Sequence, residues 1–98
     1  MEWIDETNYS QNDKIRKPTV FAVEHNNLKI IIAYGHREIG NSWCMHCYNL
    51  GINKKDLHIY KYDDIEYAKF MAIKIVFAII KSYKKSIREI KKFQMSKS

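Results

Sequence analysis

The stretch DDIEYAKFMAIKIVFAIIKSYKKSIREIKKFQ, from Asp63 to Gln94, decides the fold. It contains no Gly and no Pro, so nothing in it breaks a helix. Asp63 and Glu66 at its start have capping-box spacing, and they put acids at the positive end of the helix dipole. The reading is one long helix over 63–94. Advancing ~100° per residue from Ile65, Ile65, Ala68, Met71, Ala72, Ile75, Val76, Ile79, Tyr83, Ile90 and Phe93 fall on one apolar arc, predicted to lie on a sheet. Lys74, Lys81, Lys85, Arg88 and Lys92 share a ~60° strip on the opposite side and form a basic ridge. A second apolar flank, Phe70, Ile73, Phe77 and Ile80, is wider than one sheet covers, so something further must cover it. The candidates are the N-terminal segment folding back with Trp3 and Ile4, or a homodimer or partner surface.

Upstream of the helix the pattern changes to strands. Thr19 to His25 and Leu28 to Tyr34 are β-branched and aromatic runs separated by Asn26-Asn27, two residues that tolerate the positive φ of a tight hairpin turn. Gly35 to Asn41 reads as a loop. Ser42 to Leu50 reads as a third strand, with Trp43, Met45 and Cys47 on one face and Cys44, His46, Tyr48 and Leu50 on the other. Gly51 to Asp56 is expected to turn, and Leu57 to Tyr60 to form a short fourth strand. The fold class is therefore α+β, a three- or four-stranded antiparallel sheet packed against one long C-terminal helix. The 98 residues form a single domain: an acidic segment over 1–17, the sheet over 18–62, the helix over 63–94 and a tail over 95–98.

Apolar residues at 46% and charged residues at 29% give a globular composition, not that of a disordered tail. The formal net charge of +6 is unevenly placed. Met1 to Asp13 carries the acids Glu2, Asp5, Glu6 and Asp13 and no base, whereas Tyr67 to Ser98 carries nine bases against Glu89 alone. A basic end of this kind suits an anionic partner, nucleic acid or an acidic protein surface, although solvated Lys-rich helix faces are common and A/T-rich coding inflates Lys. The start Met-Glu-Trp-Ile-Asp-Glu is not a secretory signal. Met71 to Ile80 is interrupted by Lys74 and falls short of the ~20 residues of a membrane span. The expectation is a cytoplasmic protein with reduced thiols and no membrane partner.

Cys44-Met45-His46-Cys47 has the spacing of half a zinc site or a redox pair. A strand, however, sends residues three apart to opposite faces, and a four-ligand site would have to recruit His36 and His58. Neither metal nor cofactor is expected. His36, Arg37 and Glu38 sit in the glycine-bracketed loop and are expected to touch a partner, since no nucleophile or second carboxylate is tied to them by spacing. Phosphate-cradling Gly loops, nucleophile elbows and zinc-protease helices are missing from the sequence, so an enzyme is not expected. Phe21, Tyr34, Trp43 and Tyr48 could stack bases only if they lie on the sheet face left bare by the helix.

Trp3, the hairpin with Phe21-Ala22-Val23 and Ile30-Ile31-Ile32, the Trp43 strand, Gly51-Ile52 and Ala68-Lys69 at the helix start occur in an order that resembles small phage and mobile-element accessory proteins of sheet-plus-helix type, among them anti-CRISPR proteins. The resemblance implies a stoichiometric inhibitor that occupies a surface of a host nucleic-acid-processing complex. Such inhibitors often mimic DNA with acidic surfaces, and the ridge here is basic. The partner is thus expected to be a host protein or ribonucleoprotein complex. The alternative is direct nucleic-acid binding through the ridge.

Overall fold

The computed structural model describes residues 2–9 and 17–96. Asp13 of the acidic head and Lys97 of the tail lie outside the described residues. The elements in chain order are β1 (Ile4–Asp5), β2 (Val20–His25), β3 (Leu28–Tyr34), β4 (Trp43–Cys47), a 3-10 turn (Tyr48–Leu50), β5 (Ile52–Ile59) and α1 (Ile65–Ser96). The strands form one antiparallel sheet in sequence order, and α1 packs on one face of it. This is the expected α+β arrangement with five strands instead of three or four, the addition being the two-residue β1 on the outer side of β2.

Asn26 and Asn27 both take positive φ, 49° and 69°, as a two-residue hairpin turn of this hand requires. That turn fixes the register in which Val23 pairs with Ile30 and His25 with Leu28. Two expectations downstream need correction. The third strand stops at Cys47, not at Leu50, because Tyr48–Leu50 winds into a 3-10 turn closed by Gly51 at φ 72°. The winding turns Leu50 back against the core, away from the face that alternation assigns to it. The fourth strand begins at Ile52 directly after that glycine, not at Leu57. Positive φ at Lys54 and His58, with register shifts against β4, breaks the two-residue period that sequence reading relies on.

Asp64, not Asp63, is the last residue before α1, its carbonyl accepting the Ala68 N–H at 3.0 Å. Glu66 pairs with Lys69 at 3.2 Å instead of closing a capping box with Asp63. The core gathers Val23, Ile30, Ile32, Trp43, Met45, Cys47 and Ile59 from the sheet under Ala68, Ala72 and Val76 of the helix. Ala68 and Ala72 are fully buried, and their small side chains let the helix axis sit close to the strands. The helix entry is held by Trp43, whose ring stacks on Tyr62 at 5.7 Å and whose Nε1–H donates to the Tyr62 carbonyl at 3.1 Å.

Length decides the rest of the shape. A helix of 32 residues is ~48 Å long, whereas the longest strand, of 8 residues, spans ~26 Å. The helix therefore overshoots the sheet, giving overall dimensions of 66 × 25 × 21 Å. Tyr83, Ile90 and Phe93, expected on the sheet with the rest of the apolar arc, are instead 51%, 58% and 60% exposed. They keep the right azimuth but lie beyond the last strand residues.

Candidate functional site

From Lys81 to Gln94 every residue of α1 is exposed, so this part of the helix is an arm extending past the hairpin end of the sheet. Lys74, Lys81, Lys85, Arg88 and Lys92 are all exposed, and the ridge they form is ~27 Å long. Among the described residues the ion pairs join Lys29 to Glu6, Lys54 to Glu38, His58 to Asp56 and Lys69 to Glu66, and none of them reaches the ridge. Glu89 is the single acid on the arm. One-signed charge standing clear of the protein body presents its field to solvent undiminished by internal pairing.

The second apolar flank is brought together as a surface. Phe70, Ile73 and Phe77 are 60%, 45% and 67% exposed, and Ile80 is half-buried. Trp3 does fold back onto the core, with Lys69 Nζ 5.9 Å from its ring centroid, but Ile4 stays 62% exposed and the flank is not covered. What remains is an apolar groove of about 280 Å³ between helix and hairpin, walled by Trp3, Leu28, Ile73, Phe77 and Ile80, with His25 as its polar member.

Among known proteins, no family model, curated sequence or solved structure matches this chain. The geometry is thus the ground for a functional reading. No helix among the described residues is long and apolar enough to cross a membrane.

On the opposite sheet face the loop residues come close to a cluster that spacing did not reveal. His36 lies 6.0 Å from the His46 ring, and Glu38 pairs with Lys54 at 2.7 Å, a bond that lowers its pKa. Arg37 is exposed beside them. Cys44, His46 and Asn53 repeat the residue types of a thiol-protease triad, with Cys44 Sγ 3.8 Å from His46 Nε2 and Asn53 Oδ1 3.3 Å from His46 Nδ1. The surroundings are wrong for that chemistry. His46 Nδ1 accepts from the backbone N–H of Lys54 at 3.1 Å and also lies against Asn53 Oδ1, which can only accept, so the two contacts favour opposite ring tautomers and do not hold the ring as a base toward the thiol. Burial, with the Asp56 charge adding to it, pushes the Cys44 thiol up, and burial holds His46 below its ordinary value. A fully buried neutral thiol is a poor nucleophile. Asn53 escapes sequence reading because the irregular start of β5 brings it to His46.

The two cysteines separate as strand geometry dictates. Cys47 lies in the core under the helix, and Cys44 lies beside His46 on the other face. Among the described residues no group of three or more His, Cys, Asp or Glu could hold a metal. Phe21, Tyr34 and Trp43 belong to the helix-side core, which leaves Tyr48, 67% exposed, as the member of that quartet open to a base.

Proposed function

We propose that this protein is a non-catalytic binding protein that occupies an anionic surface of a nucleic-acid-processing defence complex in the cytoplasm of a host cell, in the manner of phage-encoded, anti-CRISPR-like inhibitors. The observation that carries the reading is the basic ridge: five cations on one strip of α1, four of them on the arm that leaves the sheet, with no ion-pair partner among the described residues. A helix fixes the spacing and azimuth of these cations, so docking against acidic residues or phosphates orders side chains but no backbone. The burial of Cys44 and His46 supports a binding role over a catalytic one. His36, Arg37 and Glu38 form the edge of a second contact on the other sheet face.

Direct binding to nucleic acid is the second reading, favoured by the one-signed charge of the ridge. A salt titration with random DNA and RNA, on the native chain and on Lys81→Glu/Lys85→Glu/Arg88→Glu, distinguishes the two. Nucleic-acid binding through three to five phosphates gives a log–log salt slope of about −3 to −4.5 on duplex DNA and is abolished by the reversal. Docking on a protein complex leaves random nucleic acid unbound, and the reversal then slows capture of the complex from a host lysate. Capture unchanged by the reversal removes the ridge from the mechanism.

A further inference from the structure

The sheet is wider than the helix that covers it. Five strands at ~4.8 Å span ~19 Å, and one helix is ~10 Å across. α1 makes its sheet contacts mainly with β3, β4 and β5. On the β1–β2 side of the same face Val23 is buried and Trp3 and Phe21 pack against the core, and the strip that stays open is the groove lined by His25, Leu28, Ile73, Phe77 and Ile80. The arm supplies a helix whose apolar side chains fit such a strip, because Tyr83, Ile87 and Ile90 repeat at the three- and four-residue spacing of Ile73, Val76 and Ile80. It cannot bend back to fill its own groove, since α1 is continuous through Ser96 without Gly or Pro.

We infer that the groove takes the arm of a second copy of this chain, in a reciprocal two-fold dimer with the two α1 helices side by side and antiparallel. The azimuths decide the arrangement. Tyr83, Ile87 and Ile90 continue the stripe that faces the sheet lower on the same helix, so they point towards the sheet side of the helix layer. A two-fold axis normal to that layer, near Lys81, places each arm over the other copy's groove and keeps both sheets on one side. A parallel pairing through the same stripe would require the two sheets to share the space between the helices. Six large side chains per copy, Phe70, Ile73, Phe77, Tyr83, Ile87 and Ile90, are between 45% and 67% exposed. At roughly half of the ~150–250 Å² that an aromatic side chain buries, and less for each Ile, the two copies together remove on the order of 1,000 Å², at the lower limit of specific interfaces. Lys74, Lys81, Lys85 and Lys92 stay on the outer side of the helix layer, and Arg88, at the azimuth of Phe70, stands at its edge, so the dimer rests largely on different residues from the binding role proposed above.

The test is the solution mass of the full chain by sedimentation equilibrium, with two variants at exposed positions, Ile87→Asp/Ile90→Asp in the arm and Phe77→Asp in the groove. The expected result is the mass of two chains for the native protein and of one chain for each variant, with helical circular dichroism per chain retained. In a sample mixing isotope-labelled and unlabelled chains, intermolecular NOEs should join the Ile87 and Ile90 methyl groups to Leu28 and Val23. A native mass of one chain, a dimer that survives either variant, or NOEs linking arm to arm without the hairpin would overturn the inference. None of these results bears on salt-dependent binding by the ridge.

Discussion

Adjacent residues of β3 offer a test of which sheet face carries the core. Ile32 is fully buried under the helix, paired across strands with Phe21 and Met45, whereas Ile31 points to the opposite face and is only half-buried. Ile32→Ala removes three buried carbon groups at ~0.8 kcal/mol each, ~2.4 kcal/mol of transfer free energy. The closed space left behind, only partly refilled by relaxation, adds on the order of 1–2 kcal/mol, for a total of about 3.5–4.5 kcal/mol. Ile31→Ala loses a fraction of the transfer contribution and opens no closed cavity, since no helix lies over it, so it should cost about 1–1.5 kcal/mol. The assay is urea unfolding at one fixed protein concentration, followed by Trp43 fluorescence and by circular dichroism, with the slope checked for constancy. A difference of at least ~2 kcal/mol between the neighbouring substitutions is expected from the cavity cost and the larger transfer loss at Ile32 together. Equal costs, or a larger cost at Ile31, would refute the placement of α1 and with it the groove.

His46 links stability to mild acid. Its folded pKa lies below the ordinary imidazole value, so the unfolded chain binds the extra proton first; stability is unaffected above ~6.5 and falls as pH drops from there through the folded pKa. Unfolding curves between neutral and mildly acidic pH should show this slope in the native chain and a smaller one in His46→Asn. The Ser42 hydroxyl donates to Asp56 at 2.6 Å and is the largest cause of that carboxyl's depressed pKa, so Ser42→Ala should move the Asp56 titration upward by NMR, and an unchanged midpoint would assign the depression elsewhere. Cys44 and Cys47 are both fully buried, so neither should react with a thiol reagent in the folded protein at neutral pH, and both should react in denaturant. Stoichiometric labelling of the native chain would contradict the buried placement of β4.

Local chemistry made much of the architecture legible in the sequence. The long C-terminal helix, the Asn26-Asn27 hairpin and the alternation that divides Trp43, Met45 and Cys47 from Cys44 and His46 follow from backbone preferences and side-chain periodicity, which act between near neighbours. The azimuths of the basic ridge and of the apolar arc were legible for the same reason. Where each azimuth finds a partner was decided by the tertiary structure. Tyr83 and Ile90 share the apolar arc with Ala72 and Val76, yet the first two are exposed and the last two buried because the strands end. Comparing ~1.5 Å per helical residue with ~3.3 Å per strand residue would have signalled that overshoot. The irregularities of β5, which bring Asn53 and the Lys54 backbone N–H to His46, leave no periodic trace. Positive φ at Lys54, unlike that at Asn26 and Asn27, occurs in a residue with no preference for it, where β5 shifts its register against β4. The groove between helix and hairpin is likewise a tertiary fact, because it depends on where one helix comes to rest on the sheet.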